Sequence, residues 1–390
     1  MYSKIVAIND AWVKPGMDHQ VLDADSRYYG GVSDDENGIA WPNHSVGTPA
    51  TMAIWAAALV NPNSIYYRNE DVLIRLELAA QYMLRVQHED GSISPGWTNF
   101  HSPPDTAFVV VGYAQVYQLL VGSDWLELRR VTDAMRLFLE QTIPVMLTGG
   151  CHTPNHRWVL CAALGFLHEL FDLPEALVRA EAWMAEGLDG TPDGKWTERS
   201  NGIYNAVSDI MLIHAARLLN HPELLEPVRR NLHMMVYLVH PDGEVVTEYS
   251  GRQDFGVKLN LSSYLLPYAM LATEDEDVIF EAMAVAAIQV SEGPVDCMTQ
   301  ISFVFGREGK FTCGEYRLVN ETVQCWTGGT ARYESGNAWF ELTGTAMEHK
   351  ATSVRGAAHP MDCYTLLVNW MAPFNKTISI RMSPLPVSEV

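Results

Sequence analysis

In the stretch Cys151–Trp158, CHTPNHRW, an amide and an imidazole stand side by side where a loop turns into a helix, as Asn155 and His156. Four other loops carry groups of the same kind. They hold Asn43 and His44; Trp97, Asn99, His101 and Asp105; Glu198, Arg199, Tyr204 and Asn205; and Glu248, Tyr249, Arg252, Gln253 and Asp254. Amide, imidazole, guanidinium and phenol are the groups needed to remove a proton next to a carboxylate. A uronate C5 proton is too weakly acidic until donors neutralise the neighbouring carboxylate, where charge builds up. A base such as His or ionised Tyr can then take that proton while an acid, usually Tyr, protonates the departing glycosidic oxygen.

Each residue also has a plainer role. Asn155 suits a helix cap, and His156 alone reads as an ordinary surface or core histidine. Glu198 and Arg199 could form an ion pair at the rim, and Tyr204 and Tyr249 could be packing residues. His101 could order the Pro-rich turn before a helix capped around Asp105. Co-occurrence favours chemistry, because five separate loops are polar at the same phase. Asp105, Glu198, Asp209 and Asp254 keep paired-carboxylate glycoside hydrolysis open, which needs two such groups about 5 to 10 Å apart. No GxSxG, P-loop or HExxH motif occurs, and SDDEN (33–37) lacks the register of a calcium loop. Pro154 separates His152 from His156, which argues against a shared metal. No cofactor is expected, with a divalent metal left open.

These loops need a scaffold that brings them together. Apolar residues at three- and four-residue spacing predict helices over 48–60, 71–87, 105–121, 125–140, 154–172, 175–186, 203–219, 222–239, 258–272 and 277–291. Between them the loops EDGSISPGW, PDGKWTERS and PDGEVVTEYS recur: Asp193 precedes Asp242 by 49 residues and follows Asp90 by 103, about two such steps. One helix pair per repeat, with its long polar loop at constant phase, places every such loop on one rim. Five pairs and an incomplete sixth, without a TPR, HEAT or armadillo signature, suggest an α/α toroid over residues 1–300. After residue 300, short alternating runs such as NAWFELTG and CYTLLVNW predict a small antiparallel β region over 301–390.

Composition narrows the ligand. A net charge of −21, with 26 Lys plus Arg against 47 Asp plus Glu, leaves no basic stripe for nucleic acid or a long polyanion. An anionic partner should therefore be short, an acidic oligosaccharide or a chain end held by a few local arginines. The most apolar run, Thr106–Gly122, contains two Gln and two Gly and reads as a buried helix rather than a membrane span. Neither an export signal nor a dense cysteine framework is visible, so a cytoplasmic setting is expected.

The hairpin repeat, TPNHRW, TERSNGIYN and the β segment after them resemble the α/α-toroid polysaccharide lyases of the heparinase II/III-like and alginate lyase class. The resemblance implies that Asn155 and His156 surround a uronate carboxylate and that Tyr204, 48 residues beyond His156, is acid or base. Arg199 matches the Arg that precedes this Tyr in the alginate enzymes. The β region is shorter than in that class, so Tyr249, with Arg252 beside it, is a second candidate for proton transfer. Arg199, Arg252, Glu198, Gln253, Asn99, His101, Trp97 and His44 complete the expected substrate contacts. The expected activity is β-elimination at a uronic acid, with a toroid hydrolase or a non-catalytic carbohydrate-binding protein as the alternatives.

Overall fold

Proline and capping residues open most of the helices. Pro lies in the first turn of α2 (Thr48–Val60), α4 (Pro103–Val121), α6 (Pro154–Phe171) and α7 (Pro174–Met184), where its missing N–H is not needed. Side chains of Asn69, Ser102 and Asp277 cap α3 (Glu70–Val86), α4 and α11 (Val278–Gln289). The others are α1 (Tyr2–Asp18), α5 (Arg129–Thr148), α8 (Tyr204–Leu218), α9 (Leu225–Met235) and α10 (Leu265–Asp275). The computed structural model describes residues 2–96 and 99–293, and the backbone of 330–335 and 338–343. The chain is mainly helical.

Two layers follow from the pattern of burial. Helices α2, α4, α6, α8 and α10 pack each on the next, and α4 is buried on nearly all sides, from Pro104 to Val116. The odd-numbered helices lie against this layer and against their neighbours. Among them α3 is amphipathic: it buries Val72, Leu76, Ala79 and Met83 and exposes its other face. Trp55, Trp158, Tyr113, Phe138 and Phe166 fill one continuous core between the layers. Each such side chain removed from water contributes about 1.5–3 kcal/mol.

The chain's first and last helices of this array meet. Lys4 on α1 donates to the carbonyls of Ile288 (2.8 Å) and Gln289 (2.7 Å) at the end of α11, where a cation also suits the helix dipole. Apolar periodicity predicts no helix before residue 48, yet α1, which contains Pro15, precedes it. Long-range contacts hold it: Asn9 donates to the Ile54 carbonyl (3.1 Å), and Asp10 accepts from the Ser64 hydroxyl (2.6 Å) and the Ile65 amide (3.0 Å). The 222–239 helix is shorter than expected, α9 being flanked by 3-10 turns at Pro222–Leu224 and Val236–Leu238.

The repeated Asp-Gly loops are built alike. Gly91 and Gly194 adopt left-handed φ values of 82° and 93°. An added Cβ would lie 1.8 Å from the Gln141 carbonyl on α5 and 2.2 Å from the Arg230 carbonyl on α9. Each loop thus folds against the next outer helix, which sets its phase. A short antiparallel pair not foreseen in the sequence, β1 (Glu244–Val245) with β2 (Leu259–Asn260), brackets the loop that carries Arg252. After residue 300, β3 (Thr330–Ser335) and β4 (Ala338–Thr343) form an antiparallel hairpin. The expected domain boundary and the rest of the β region lie outside the described residues.

Candidate functional site

The loops that enter successive inner helices do meet. His44, just before α2, stacks on Phe108 in the first turns of α4, with ring centroids 4.1 Å apart and planes within 9°. Phe108 and His156, at the start of α6, meet edge to face (6.1 Å, 87°). Glu198, in the loop before α8, accepts at Oε2 from the backbone N–H of Asn155 (2.9 Å) and from its Nδ2 (2.6 Å). The other oxygen of Glu198 takes a hydrogen bond from Arg252 Nη1 at 2.5 Å. The guanidinium of Arg252 lies 4.5 Å from the centre of the Tyr204 ring, a cation–π contact. His44, Phe108, His156, Asn155, Glu198, Arg252 and Tyr204 therefore form one connected constellation from five loops.

His156 is half-buried, and no hydrogen bond among the described residues engages its ring. Burial holds its pKa below the usual 6.5, against the opposing charges of Asp105 and Glu198 and with Arg252 and His152 reinforcing the shift. Its imidazole is accordingly neutral near pH 7 and able to accept a proton.

Glu198, not Asn155, caps α6. Thr153 is the N-cap of α6 and makes no side-chain cap; the cap comes from the Glu198 carboxylate, 43 residues away. Asn155 is fully buried, and its Oδ1 has no hydrogen-bond partner among the described residues. The expected ion pair of Glu198 with Arg199 is also replaced, by the pair with Arg252. Arg199 adopts a left-handed φ of 51°, its carbonyl accepts from the Gly251 amide (2.6 Å), and its side chain lies over Gly251. It lies beside the constellation, and no hydrogen bond or ring contact among the described residues joins it to that group.

Asp254 fixes the two loops on either side of this centre. It is fully buried and accepts from Ser200 Oγ (2.8 Å), Gly202 N (2.9 Å) and Ser250 Oγ (2.7 Å). Asn201 adds a bond to the Val246 carbonyl (2.8 Å), and the Tyr264 hydroxyl donates to Asn201 O (2.6 Å). Asp209 is deeper, on α8. It accepts from Trp196 Nε1 (3.0 Å), and burial pushes its carboxyl well above the ordinary range. Arg157 is likewise structural, buried and paired with Glu186 and Asp189.

Other expected site residues lie apart. The His101 ring is stacked on His88 (3.8 Å) and bonded to Asp90 (2.9 Å) and Ser92 (3.2 Å). The ring is therefore tied to the 88–92 turn. The helix there is capped by Ser102 rather than Asp105. Asp105 accepts from Asn99 Nδ2 at 3.1 Å and from the Ser102 hydroxyl. Tyr249 and Gln253 are exposed, and no hydrogen bond or ring contact among the described residues joins them to the centre. Trp97 lies outside the described residues. Phe108 was not foreseen, because it reads as part of the apolar run of α4; its spacing of three from Asp105 was the one available signal.

Among the described residues no group of three or more His, Cys, Asp or Glu could hold a metal ion, and no helix is long and apolar enough to cross a membrane. Cys151 and Cys161 are free thiols. No family model matches the chain, and no curated protein matches it. Among solved structures it is similar to a type II terpene cyclase, MstE from Scytonema, in complex with its product merosterolic acid A. That similarity has 12% identity and a TM-score of 0.39, over 74% of this chain and 79% of that one.

Proposed function

We propose that the chain is a lyase that cleaves a glycosidic bond at a uronic acid by β-elimination, on short or chain-end substrates, and that its two helical layers form an α/α toroid. The observation that carries this reading is the bridge by which Glu198 ties Arg252, seated over the Tyr204 ring, to Asn155 at the start of α6, beside the half-buried His156. Arg252 uses Nη1 for Glu198 and has further N–H donors for a substrate carboxylate. Once that charge is neutralised, neutral His156 takes the C5 proton. The electron pair of the C5–H bond forms the C4–C5 double bond as the C4–O bond breaks, and Tyr204 donates its phenolic proton to the leaving oxygen.

The carboxylate pair needed for hydrolysis has less support. Asp254 and Asp209 are buried in structural networks, and both oxygens of Glu198 are already engaged. The deciding assay offers alginate, glucuronan, ulvan and rhamnogalacturonan oligomers and follows the ultraviolet absorbance of an unsaturated uronate. Product is expected from the parent chain and lost in His156→Ala and Tyr204→Phe. Reducing sugar without unsaturated product would establish hydrolysis instead, and binding without cleavage would reduce the chain to a carbohydrate-binding protein.

A further inference from the structure

We propose that Glu198 is a positioning residue and not a substrate contact: its carboxylate is a fixed internal anion that couples the start of α6 to Arg252 and thereby holds Arg252 over Tyr204. The proposal assigns Glu198 a role in the reaction proposed above and rests on that reading for its catalytic consequence alone.

Three observations carry it. First, both oxygens are in use: Oε2 takes the N–H and Nδ2 of Asn155 at 2.9 and 2.6 Å, and Oε1 takes Arg252 Nη1 at 2.5 Å. Second, the Glu198 side chain is only 6% exposed, whereas that of Arg252 is 29% exposed. A ligand arriving from solvent thus meets the guanidinium before the carboxylate. Third, the residue after Glu198 is in the left-handed region, φ 51° at Arg199, a conformation a non-glycine residue keeps only where its surroundings impose it. The Arg199 carbonyl bond to Gly251 and the Glu198 pair with Arg252 provide that constraint from the same loop.

The chemistry of this seat is that of a small carboxylate: a helix-start N–H, an amide NH2 and a guanidinium converge on two oxygens. Removing the Glu198 side chain should therefore leave a seat that formate can fill.

The test uses the full chain and formate as the probe. Glu198→Ala should melt below the parent and recover with added formate as a ligand of the folded state requires, by about tenfold in its folding equilibrium at ten times the formate Kd. The parent and the Glu198→Ala/Arg252→Ala double variant should show no such recovery. Glu198→Gln keeps the shape without the charge and should also melt below the parent. On any substrate the parent cleaves, Glu198→Gln should lower kcat about tenfold or more while KM stays within about threefold. A Glu198→Ala chain indifferent to formate, or a Glu198→Gln chain as stable as the parent, overturns the seat. A rise in KM with kcat unchanged makes Glu198 a substrate contact. Should the parent cleave no uronate, the lyase reading fails while the formate measurement still decides the seat; if Glu198→Ala does not fold, the melting of Glu198→Gln decides it.

Discussion

Removing the charge of Asp254 should loosen the candidate site before it affects the helical core. Its carboxylate accepts three hydrogen bonds, from Ser200 (2.8 Å), Gly202 (2.9 Å) and Ser250 (2.7 Å), with no exposure to solvent. Hydrogen bonds to a buried charged group contribute about 1.5–3 kcal/mol each, and serine hydroxyls can turn to other acceptors, so the three do not sum. Truncation to Ala, which orphans the Gly202 amide and leaves a cavity, should cost about 4 kcal/mol. Asp254→Asn keeps one acceptor oxygen and turns an NH2 toward a donor, for an expected cost of about 2 kcal/mol. At a urea m-value of about 3 kcal/mol/M, that lowers the unfolding midpoint by roughly 0.7 M with m unchanged. The assay is urea unfolding followed by far-ultraviolet circular dichroism, alongside activity. A midpoint for Asp254→Asn within about 0.2 M of the parent would refute the structural role. If activity were lost at that unchanged stability, Asp254 would be a chemical participant and paired-carboxylate hydrolysis the better reading.

Three further outcomes follow from the same geometry. Gly194→Ala should cost more than about 3 kcal/mol in thermal or urea unfolding, because its Cβ would lie 2.2 Å from the Arg230 carbonyl at φ 93°. Gly256→Ala, at φ 68° with nothing within 4 Å, should cost only about 1 kcal/mol. Burial pushes the Asp209 carboxyl well above its ordinary range, so its contribution to stability is complete below the unfolded carboxylate pKa of about 3.9 and falls as pH rises toward its raised folded value. The stability of Asp209→Asn relative to the parent should therefore increase with pH above that range, and urea midpoints across a pH series that run parallel would contradict it. The acid limb of kcat/KM should lie below 6.5, where burial puts His156. Phe108→Ala, which opens one face of that ring, should move the limb up toward 6.5; an unmoved limb would take His156 out of the proton-transfer role.

Helix-forming segments and the repeat were legible in the sequence, because periodicity, proline starts and Asp-Gly loops are local signals. Thr48–Val60 and the start of α6 at Pro154 fall where that spacing puts them. The polar rim was legible for the same reason, since a constant loop phase needs no tertiary information. Local signals failed at α1, where Pro15 hides a helix held by Asn9 and Asp10 through partners 45 to 55 residues away. They also failed inside the site. Sequence identifies Asn155, Glu198, Arg199 and Arg252 as polar neighbours on one rim, but not which pairs form. Glu198 bonds across 43 residues to Asn155 and across 54 to Arg252, while Arg199, one residue along, turns away through a left-handed backbone. The same sequence offers His156 as a catalyst and His101 as a substrate contact, yet His101 is tied to Asp90 and Ser92 while His156 packs near Phe108, its ring in no hydrogen bond among the described residues. The sequence by itself determined the repeat, the rim and the stock of reactive groups on it. Only the packing of one inner helix on the next decided which of those groups share a site, because side chains a few ångströms apart there are separated by forty or more residues of chain.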